Sequence, residues 1–267
     1  YRAVEGRIGD GNVGIGYYGM RYAAGGDSNT AVGDSSLQYI QGNYTTAIGS
    51  QAGRYASGSN NAFLGYRAGR GGTTSAPYSS GQNNIAVGSQ AFMGFTTGDA
   101  NVVVGNYAME DATTGYSNVA LGYSAGHAIT TGYRNVMIGE SAGDSITNPQ
   151  EMVLIGYRAG TSINSNDAYR TVAVGAEAAD SLTEGQFNTF MGGKSGMYLT
   201  DGDNNTFIGY QSADANTTGS GNTTLGAFAL GANTTANNNT AIGYNALLLN
   251  TTGASNVAVG AYALDAN

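Results

Sequence analysis

One glycine recurs through this chain at a nearly fixed spacing, and it limits the architectures that the chain can form. Each of these anchor glycines closes a short aliphatic run, as in Asn239-Thr-Ala-Ile-Gly243 and Asn256-Val-Ala-Val-Gly260. Ten of the fourteen successive spacings are 17 residues, so the sequence itself fixes the register of the repeat. Such a period indicates stacked units that each contact their neighbours along the chain. The fifteen anchors are Gly16, Gly33, Gly49, Gly65, Gly88, Gly105, Gly122, Gly139, Gly156, Gly175, Gly192, Gly209, Gly226, Gly243 and Gly260.

The positions around each anchor are chemically restricted. Counting the anchor as position 0, position −1 holds Ile, Val or Leu in every repeat except the one with Met191. Position −4 is Asn in 12 of the 15 repeats, with Thr45, Met152 and Thr171 as exceptions. β-Branched runs separated by Gly and Asn are typical of strands and tight turns, because both turn residues tolerate positive φ. We predict an all-β parallel solenoid of about 15 coils, each with two short strands and two corners. Stacked Asn side chains are expected to bond one another as a ladder.

Both faces of the predicted strand are apolar. Side chains alternate along a strand, so positions −1 and −3 share one face and position −2 lies on the other. Position −2 is also mostly apolar, as Phe63, Val103 and Phe207 illustrate. A thin coil has one interior, so the second apolar face needs a cover from outside. We expect several chains to pack against each other along a fibre axis, because soluble monomers seldom expose a long apolar stripe.

These columns also support a family resemblance. The motif Asn-x-Ala-Ile/Val-Gly-x-x-Ala/Ser resembles the head repeats of trimeric autotransporter adhesins. It resembles still more closely the repeats of bacteriophage tail fibres and related bacterial surface proteins. The resemblance covers residues 12–264 and implies a left-handed parallel β-roll and a homotrimer about a threefold axis. The period is longer here than in the adhesin heads, and this sequence shows no coiled-coil stalk. Segments that carry the motif are 12–16, 29–33, 118–122, 205–209 and 239–243.

The repeat domain is expected to span residues 12–267, with residues 1–11 as an N-terminal partial coil or cap. Two insertions interrupt it, at about 70–83 and at 161–170. Insertions in solenoids form loops and are often where ligands bind, although a tolerated surface loop is the alternative interpretation. The candidate binding residues in the two insertions are Arg70, Pro77, Tyr78, Tyr169 and Arg170.

Tyrosines form a second candidate surface, because they often follow the anchor directly. We expect these side chains to cover the side of the solenoid or to fill a groove between chains. Stacking on sugars is the alternative. The six positions are Tyr17, Tyr66, Tyr123, Tyr157, Tyr210 and Tyr244.

Composition argues against several function classes. The net charge is −8, and no Lys or Arg occurs after Lys194, whereas a nucleic-acid-binding protein carries a basic stripe. The sequence has no apolar run of about 20 residues, so membrane insertion is not expected. His127 is the only histidine and Cys is absent, so we predict neither a His/Cys zinc site nor a cofactor. The carboxylates are scattered, with Glu110-Asp111 as the only adjacent pair, so the paired acids of a polysaccharide hydrolase are not evident and no enzyme is predicted.

The leading hypothesis is an extracellular structural fibre or adhesin segment, in a virion tail fibre or on a bacterial surface. As a trimeric shaft or head, it would present a receptor-binding surface to a cell-surface glycan or protein during host attachment. The alternatives are a monomeric ice-binding or other surface-binding solenoid and a unit of an extracellular filament. Support for ice binding comes from Thr pairs such as Thr96-Thr97 and Thr217-Thr218, which would stack into a hydroxyl array.

Overall fold

Each repeat contributes one three-residue β-strand, and every strand ends directly before its anchor glycine. The computed structural model describes residues 9–163 and 169–266, and the chain forms two units, Tyr1–Arg134 and Asn135–Asn267. The first unit contains β1 (Val13–Ile15), β2 (Thr30–Val32), β3 (Thr46–Ile48), β4 (Ala62–Leu64), β5 (Ile85–Val87), β6 (Val102–Val104) and β7 (Val119–Leu121). The second unit contains β8 (Val136–Ile138), β9 (Val153–Ile155), β10 (Val172–Val174), β11 (Thr189–Met191), β12 (Thr206–Ile208), β13 (Thr223–Leu225), β14 (Thr240–Ile242) and β15 (Val257–Val259).

Each strand pairs in parallel with its neighbours in sequence. In the first unit this pairing runs from β1 to β7. In the second it runs from β8 to β15. The register places equivalent repeat positions opposite each other, for example Val103 opposite Ala120 and Phe190 opposite Phe207. The predicted all-β parallel solenoid with a period of about 17 residues is therefore confirmed.

The prediction of two strands per coil is wrong, because the segment after the anchor is a run of turns. Positions +2 and +4 have positive φ, as at Tyr107 (60°) and Met109 (44°). The N–H groups alternate in their partners: Ala108 donates to Gly105 O at 3.4 Å within its own coil, and Met109 donates to Ala125 O at 3.0 Å in the next. An extended strand requires negative φ throughout, so this alternation replaces the second strand.

The interior of each coil lies on the position −2 side of the strand. Ala31, Phe63 and Phe190, at the middle of their strands, are fully or almost fully buried. Residues at positions +3, +4 and +7 complete the core, as Ala108, Met109 and Ala112 do in the coil of β6. Positions −1 and −3 flank the buried residue in each strand and are exposed or half-buried. The apolar strand face that one chain leaves exposed or half-buried is therefore the one formed by positions −1 and −3.

The sizes of the residues at positions −2 and +4 are complementary. Phe63 and Phe190 share their coils with Gly69 and Gly196, and a Cβ on either glycine would overlap the phenylalanine ring. Where position −2 is alanine, position +4 is often large. The coils with this opposite arrangement contain Ala31 with Leu37, Ala86 with Phe92, Ala241 with Leu247 and Ala258 with Leu264. In these coils positions −2 and +4 share one part of the thin interior, and one large side chain fills it at close-packed density.

The predicted asparagine ladder is confirmed, and its members are buried. Asn101 Nδ2 donates to Gly115 O at 2.9 Å and to Asn84 Oδ1 at 3.1 Å. Asn101 Oδ1 accepts from both the backbone N–H and the side-chain amide of Asn118, each at 3.0 Å. Thr45 replaces one Asn and keeps part of the pattern, since its hydroxyl donates to Gly58 O at 3.3 Å. The ladder thus satisfies backbone groups at one corner of successive coils.

The first described residues continue the path of the coils. Gly9 N–H donates to Gly26 O at 3.2 Å, and Asp10 N–H donates to Asp27 Oδ1 at 2.9 Å. Residues 9–11 of the predicted partial coil or cap therefore pair with the following coil, while residues 1–8 lie outside the described part of the chain.

Candidate binding surfaces

The side chains at positions −1 and −3 form a surface that we call the sheet face. Every residue at these two positions is Val, Ile, Leu, Met, Thr or Ala, so the face carries no charge. Several of its large side chains are about half exposed, including Ile15 (57%), Leu64 (49%) and Leu225 (50%). Apolar side chains that line up in successive coils create a contiguous patch, which is unusual for a solvated protein surface.

Aromatic rings lie beside the sheet face, and in the second unit they form a continuous row from the coil of β12 to that of β15, which we call the aromatic edge. The six tyrosines that follow an anchor are all exposed, in agreement with a surface role. In the second unit the aromatic rings at positions +1 and +2 meet edge to face, with centroid distances of 5.6 Å for Tyr210–Phe228, 6.0 Å for Phe228–Tyr244 and 5.4 Å for Tyr244–Tyr262. These contacts order the aromatic edge and extend the apolar surface past the strands.

The first insertion is a loop whose base is held by the backbone ladder of the solenoid. Before the loop, Gly72 N–H donates to Phe95 O at 2.7 Å. After the loop, Ser79 N–H donates to Tyr55 O at 3.0 Å, so the chain returns to its coil position. Across the base, Thr73 N–H donates to Ser79 Oγ at 3.2 Å. Residues 73–78 therefore protrude from an ordered coil.

Tyr78, a predicted binding residue, joins a stack of tyrosines at position +6. Tyr39 is the centre of the stack, with centroid distances of 5.2 Å to Tyr22, 5.4 Å to Tyr55 and 4.7 Å to Tyr78. Burial raises the pKa of Tyr39 above its ordinary value, and the neighbouring Tyr78 and Tyr55 add to this effect. The stack holds Tyr78 in place at the base of the loop.

Arg70, another predicted binding residue, packs against the solenoid. Its guanidinium carbon lies 5.1 Å from the centroid of the Tyr55 ring, and that of Arg54 lies 5.0 Å from the same ring. The Arg70 Nε is buried and has no hydrogen-bond partner among the described residues. Its packing against Tyr55 gives this arginine a structural role in the tyrosine stack.

A groove of about 460 Å³ lies between the protruding loop and the neighbouring coils. Pro77 and Tyr78, two of the predicted binding residues, form part of the loop wall, while the residues of the opposite wall were not predicted from the sequence. Gln41, Ser57 and Thr96 of that wall all occupy position +8. Their common position was the sequence signal for this wall, because the inserted residues leave their coil directly before position +8 and so lie next to that position in the neighbouring coils. The groove is lined by residues 75–78 and by Gln41, Ser57, Thr73, Ser80, Thr96 and Thr97.

The second insertion is described only at its ends, since residues 164–168 lie outside the described part of the chain. Arg170 is exposed, and its Nε lies 2.9 Å from Glu151 Oε2. Tyr169 is half-buried, and its carbonyl oxygen accepts from Phe187 N–H at 3.3 Å. The two predicted residues thus stand at the return of the loop to the solenoid, next to an exposed ion pair.

The stacked threonines at position +8 use their hydroxyls within the fold. Thr96 Oγ1 donates to Thr113 O at 3.0 Å, and Thr113 Oγ1 donates to Thr130 O at 3.0 Å. Thr217 Oγ1 donates in the same way to Thr234 O at 3.0 Å. An ice-binding array needs hydroxyls that are free to meet water, so this inward bonding weakens the ice-binding interpretation.

Several acidic side chains lie next to a basic side chain. Glu110 Oε2 lies 3.3 Å from His127 Nε2, and Asp180 Oδ2 lies 3.3 Å from Arg158. Within the described ranges, no group of three or more His, Cys, Asp or Glu residues is placed to hold a metal ion. The same ranges contain no helix long and apolar enough to cross a membrane.

Comparison with known proteins gives no match: no family model, no curated protein and no solved structure is significantly similar to this chain.

Proposed function

We propose that this chain is a segment of an extracellular structural fibre or adhesin, in which copies of the chain associate through the sheet face. The exposed apolar sheet face is the observation that carries the proposal. The resemblance of the repeats to tail-fibre and adhesin-head repeats suggests three copies and a place in a virion tail fibre or on a bacterial surface. The assembled segment presents its insertion loops to a receptor on a host cell.

A second copy of the chain is the partner that fits the sheet face best. The face repeats at the spacing of parallel strands, about 4.8 Å. A parallel copy has the same spacing, so ridges and gaps of the two faces stay in phase over many coils. A globular partner lacks this period. Closed symmetric association of identical chains is also the commonest form of soluble assembly.

The absence of charge on the sheet face makes its burial favourable. Each Å² of apolar surface removed from water contributes about 25 cal/mol. No charged group has to lose its water when the face is covered, because every residue at positions −1 and −3 is uncharged. The flanking aromatic edge supplies side chains of the type that is enriched at protein interfaces.

A charge placed on the sheet face tests this proposal. Leu225, at position −1 of β13, is half exposed, and Leu225→Lys would place an ammonium group within the apolar contact. Thr218→Lys is the matched control, since Thr218 is exposed at position +9, away from the strands. We expect Leu225→Lys to lower the native mass toward that of one chain while Thr218→Lys keeps the wild-type assembly. If both variants keep the wild-type mass, the sheet face is not the interface.

A further inference from the structure

The groove at the first insertion has an uncharged polar lining. Gln41, Ser75, Ser80 and Thr97 place an amide and hydroxyls along it. Hydroxyls both donate and accept hydrogen bonds, and an amide offers both functions through separate atoms. A ligand that suits this lining carries many groups of the same dual kind. Saccharide hydroxyls have this property, whereas an apolar ligand would leave the lining unpaired.

The loop wall of the groove supplies a rigid apolar surface. Pro77 and Tyr78 provide it, and Tyr78 is fixed by its contacts with Tyr39 and Tyr55 at centroid distances of 4.7 and 6.3 Å. An aromatic residue held in this way loses little conformational freedom when a ligand binds. A pyranose ring has an apolar C–H surface as well as polar edges, so it matches one aromatic wall facing a wall of hydroxyls.

Charge favours a neutral ligand. No residue that lines the groove is charged. The nearby Arg54 and Arg70 have their guanidinium groups against the Tyr55 ring. The whole chain carries a net charge of −8, which repels anionic ligands at long range. A sialylated or phosphorylated saccharide would find no counter-charge in the groove.

We propose that this groove binds a neutral saccharide of about two rings. Its volume of about 460 Å³ lies within the range of roughly 300–1,000 Å³ typical of small-ligand pockets. This inference rests on the proposed function in one respect, since it gives the chemical class of the receptor. The site itself is built within a single chain, from position +8, position +9 and the loop, and none of these positions belongs to the sheet face.

The test uses the full chain and a panel of neutral disaccharides: lactose, maltose, cellobiose and N,N′-diacetylchitobiose. Sialyllactose serves as the anionic comparison. Saturation-transfer NMR detects binding, and titration gives the dissociation constants. We expect at least one neutral disaccharide to bind, with its C–H face receiving saturation from the protein, and sialyllactose to bind at least tenfold more weakly.

Two variants locate the binding site. Tyr78→Ala removes the aromatic wall and is expected to weaken binding at least tenfold. Thr97→Val keeps the shape of an exposed side chain and removes one hydroxyl, so saccharide affinity is expected to fall several-fold. This second variant tests the site independently if Tyr78→Ala disturbs the loop. Tyr44→Ala, at an exposed tyrosine outside the groove, is the matched control and should bind as the wild type does.

Three results would overturn the saccharide site. They are no binding of any neutral disaccharide at millimolar concentration, binding that neither Tyr78→Ala nor Thr97→Val weakens, and preferential binding of sialyllactose. Native mass measured on the same samples separates this inference from the proposed function. An assembled protein that binds no saccharide rejects only the groove, and a saccharide-binding monomer rejects only the assembly.

Discussion

At the scale of single residues, two physical constraints act on an anchor glycine that has a further coil stacked on it. Gly105 has φ of +140°, a conformation that only glycine adopts without strain. A Cβ at Gly105 would also overlap the carbonyl group of Gly122 in the next coil. The first constraint arises from the backbone conformation of the glycine itself, whereas the second arises because coils stack at the close spacing of β-strands. Positive φ applies at position 0 of all fifteen repeats, and the overlap adds to it where a further coil stacks on the glycine; at Gly260, in the last coil, a Cβ would meet no atom closer than 4.0 Å.

The two constraints can be separated with a pair of alanine variants. Gly25 also has positive φ (+104°), but a Cβ there would have no neighbouring atom within 4 Å. We expect Gly25→Ala to cost about 1–3 kcal/mol from backbone strain. Gly105→Ala should cost about 1–3 kcal/mol more, because overlap with the next coil forces the backbone to shift. Denaturant unfolding at matched protein concentration measures both changes, and equal losses would show that stacking adds no constraint.

At the scale of the coil, the asparagine ladder connects each repeat to the next through side chains. Asn101 donates to Gly115 O and Asn84 Oδ1 and accepts from Asn118. All these groups are buried, so loss of one partner leaves others without a hydrogen bond in an apolar surrounding. Thr45 shows how the same position functions with a shorter side chain, since its hydroxyl donates to Gly58 O and accepts from Asn61 N–H.

Replacement of Asn101 should reveal the strength of the ladder. Each buried group left unpaired costs about 1–3 kcal/mol, so Asn101→Ala is expected to lower the free energy of unfolding by about 3 kcal/mol or more. Asn101→Thr keeps one donor and one acceptor, as Thr45 does, and should lose about half as much. Thermal unfolding followed by circular dichroism gives the order of the two variants. A threonine variant no more stable than the alanine variant would contradict the proposed bonding.

Core packing at this scale depends on the pairing of positions −2 and +4. Phe63 fills the interior of its coil because Gly69 leaves the space, and Leu37 fills the corresponding space beside Ala31. Leu37 has φ of 43°, close to the 52° of Gly69, so the backbone of position +4 accommodates a large side chain. The two arrangements are therefore interchangeable in principle.

A double substitution tests this complementarity. Phe63→Ala alone should cost about 3–5 kcal/mol, because it leaves a cavity in the core. Gly69→Leu alone should also destabilise, since its side chain would overlap the Phe63 ring. The double variant copies the coil of Ala31 and Leu37 and should recover part of the loss of Phe63→Ala. A double-mutant cycle of unfolding free energies measures the coupling, and strictly additive losses would reject it.

The sequence allowed the coil to be predicted only in part. The columns of glycine and asparagine predicted the parallel solenoid, its period and the ladder, because these features depend on one residue type at one position. The columns did not predict that the segment after the anchor is a run of turns, since residues such as Ala108 and Met109 are equally compatible with a strand. The columns also did not show which strand face lies inside the coil, because both strand faces are apolar. Position +8 marks Gln41 and Ser57 as neighbours of the insertion, but the direction in which the six inserted residues fold, which makes these neighbours the far wall of a groove, is not specified by any repeat column.

At the scale of the whole molecule, the sheet face is the feature that the fold of one chain leaves unexplained. Val32, Ile138 and Ile242 belong to it and are half-buried, while Leu64 and Leu225 are exposed. The fold of each coil is complete without them, since its core lies on the position −2 side. The proposed association of copies would explain why this face remains apolar along successive coils.

The most direct test is the native mass of the wild-type chain, measured by light scattering on a size-exclusion column. We expect a mass of about 81 kDa, three times the 27.1 kDa of one chain. That mass should persist on dilution, because the apolar contacts extend along many coils. A monodisperse species of 27.1 kDa at all concentrations would contradict association through the sheet face.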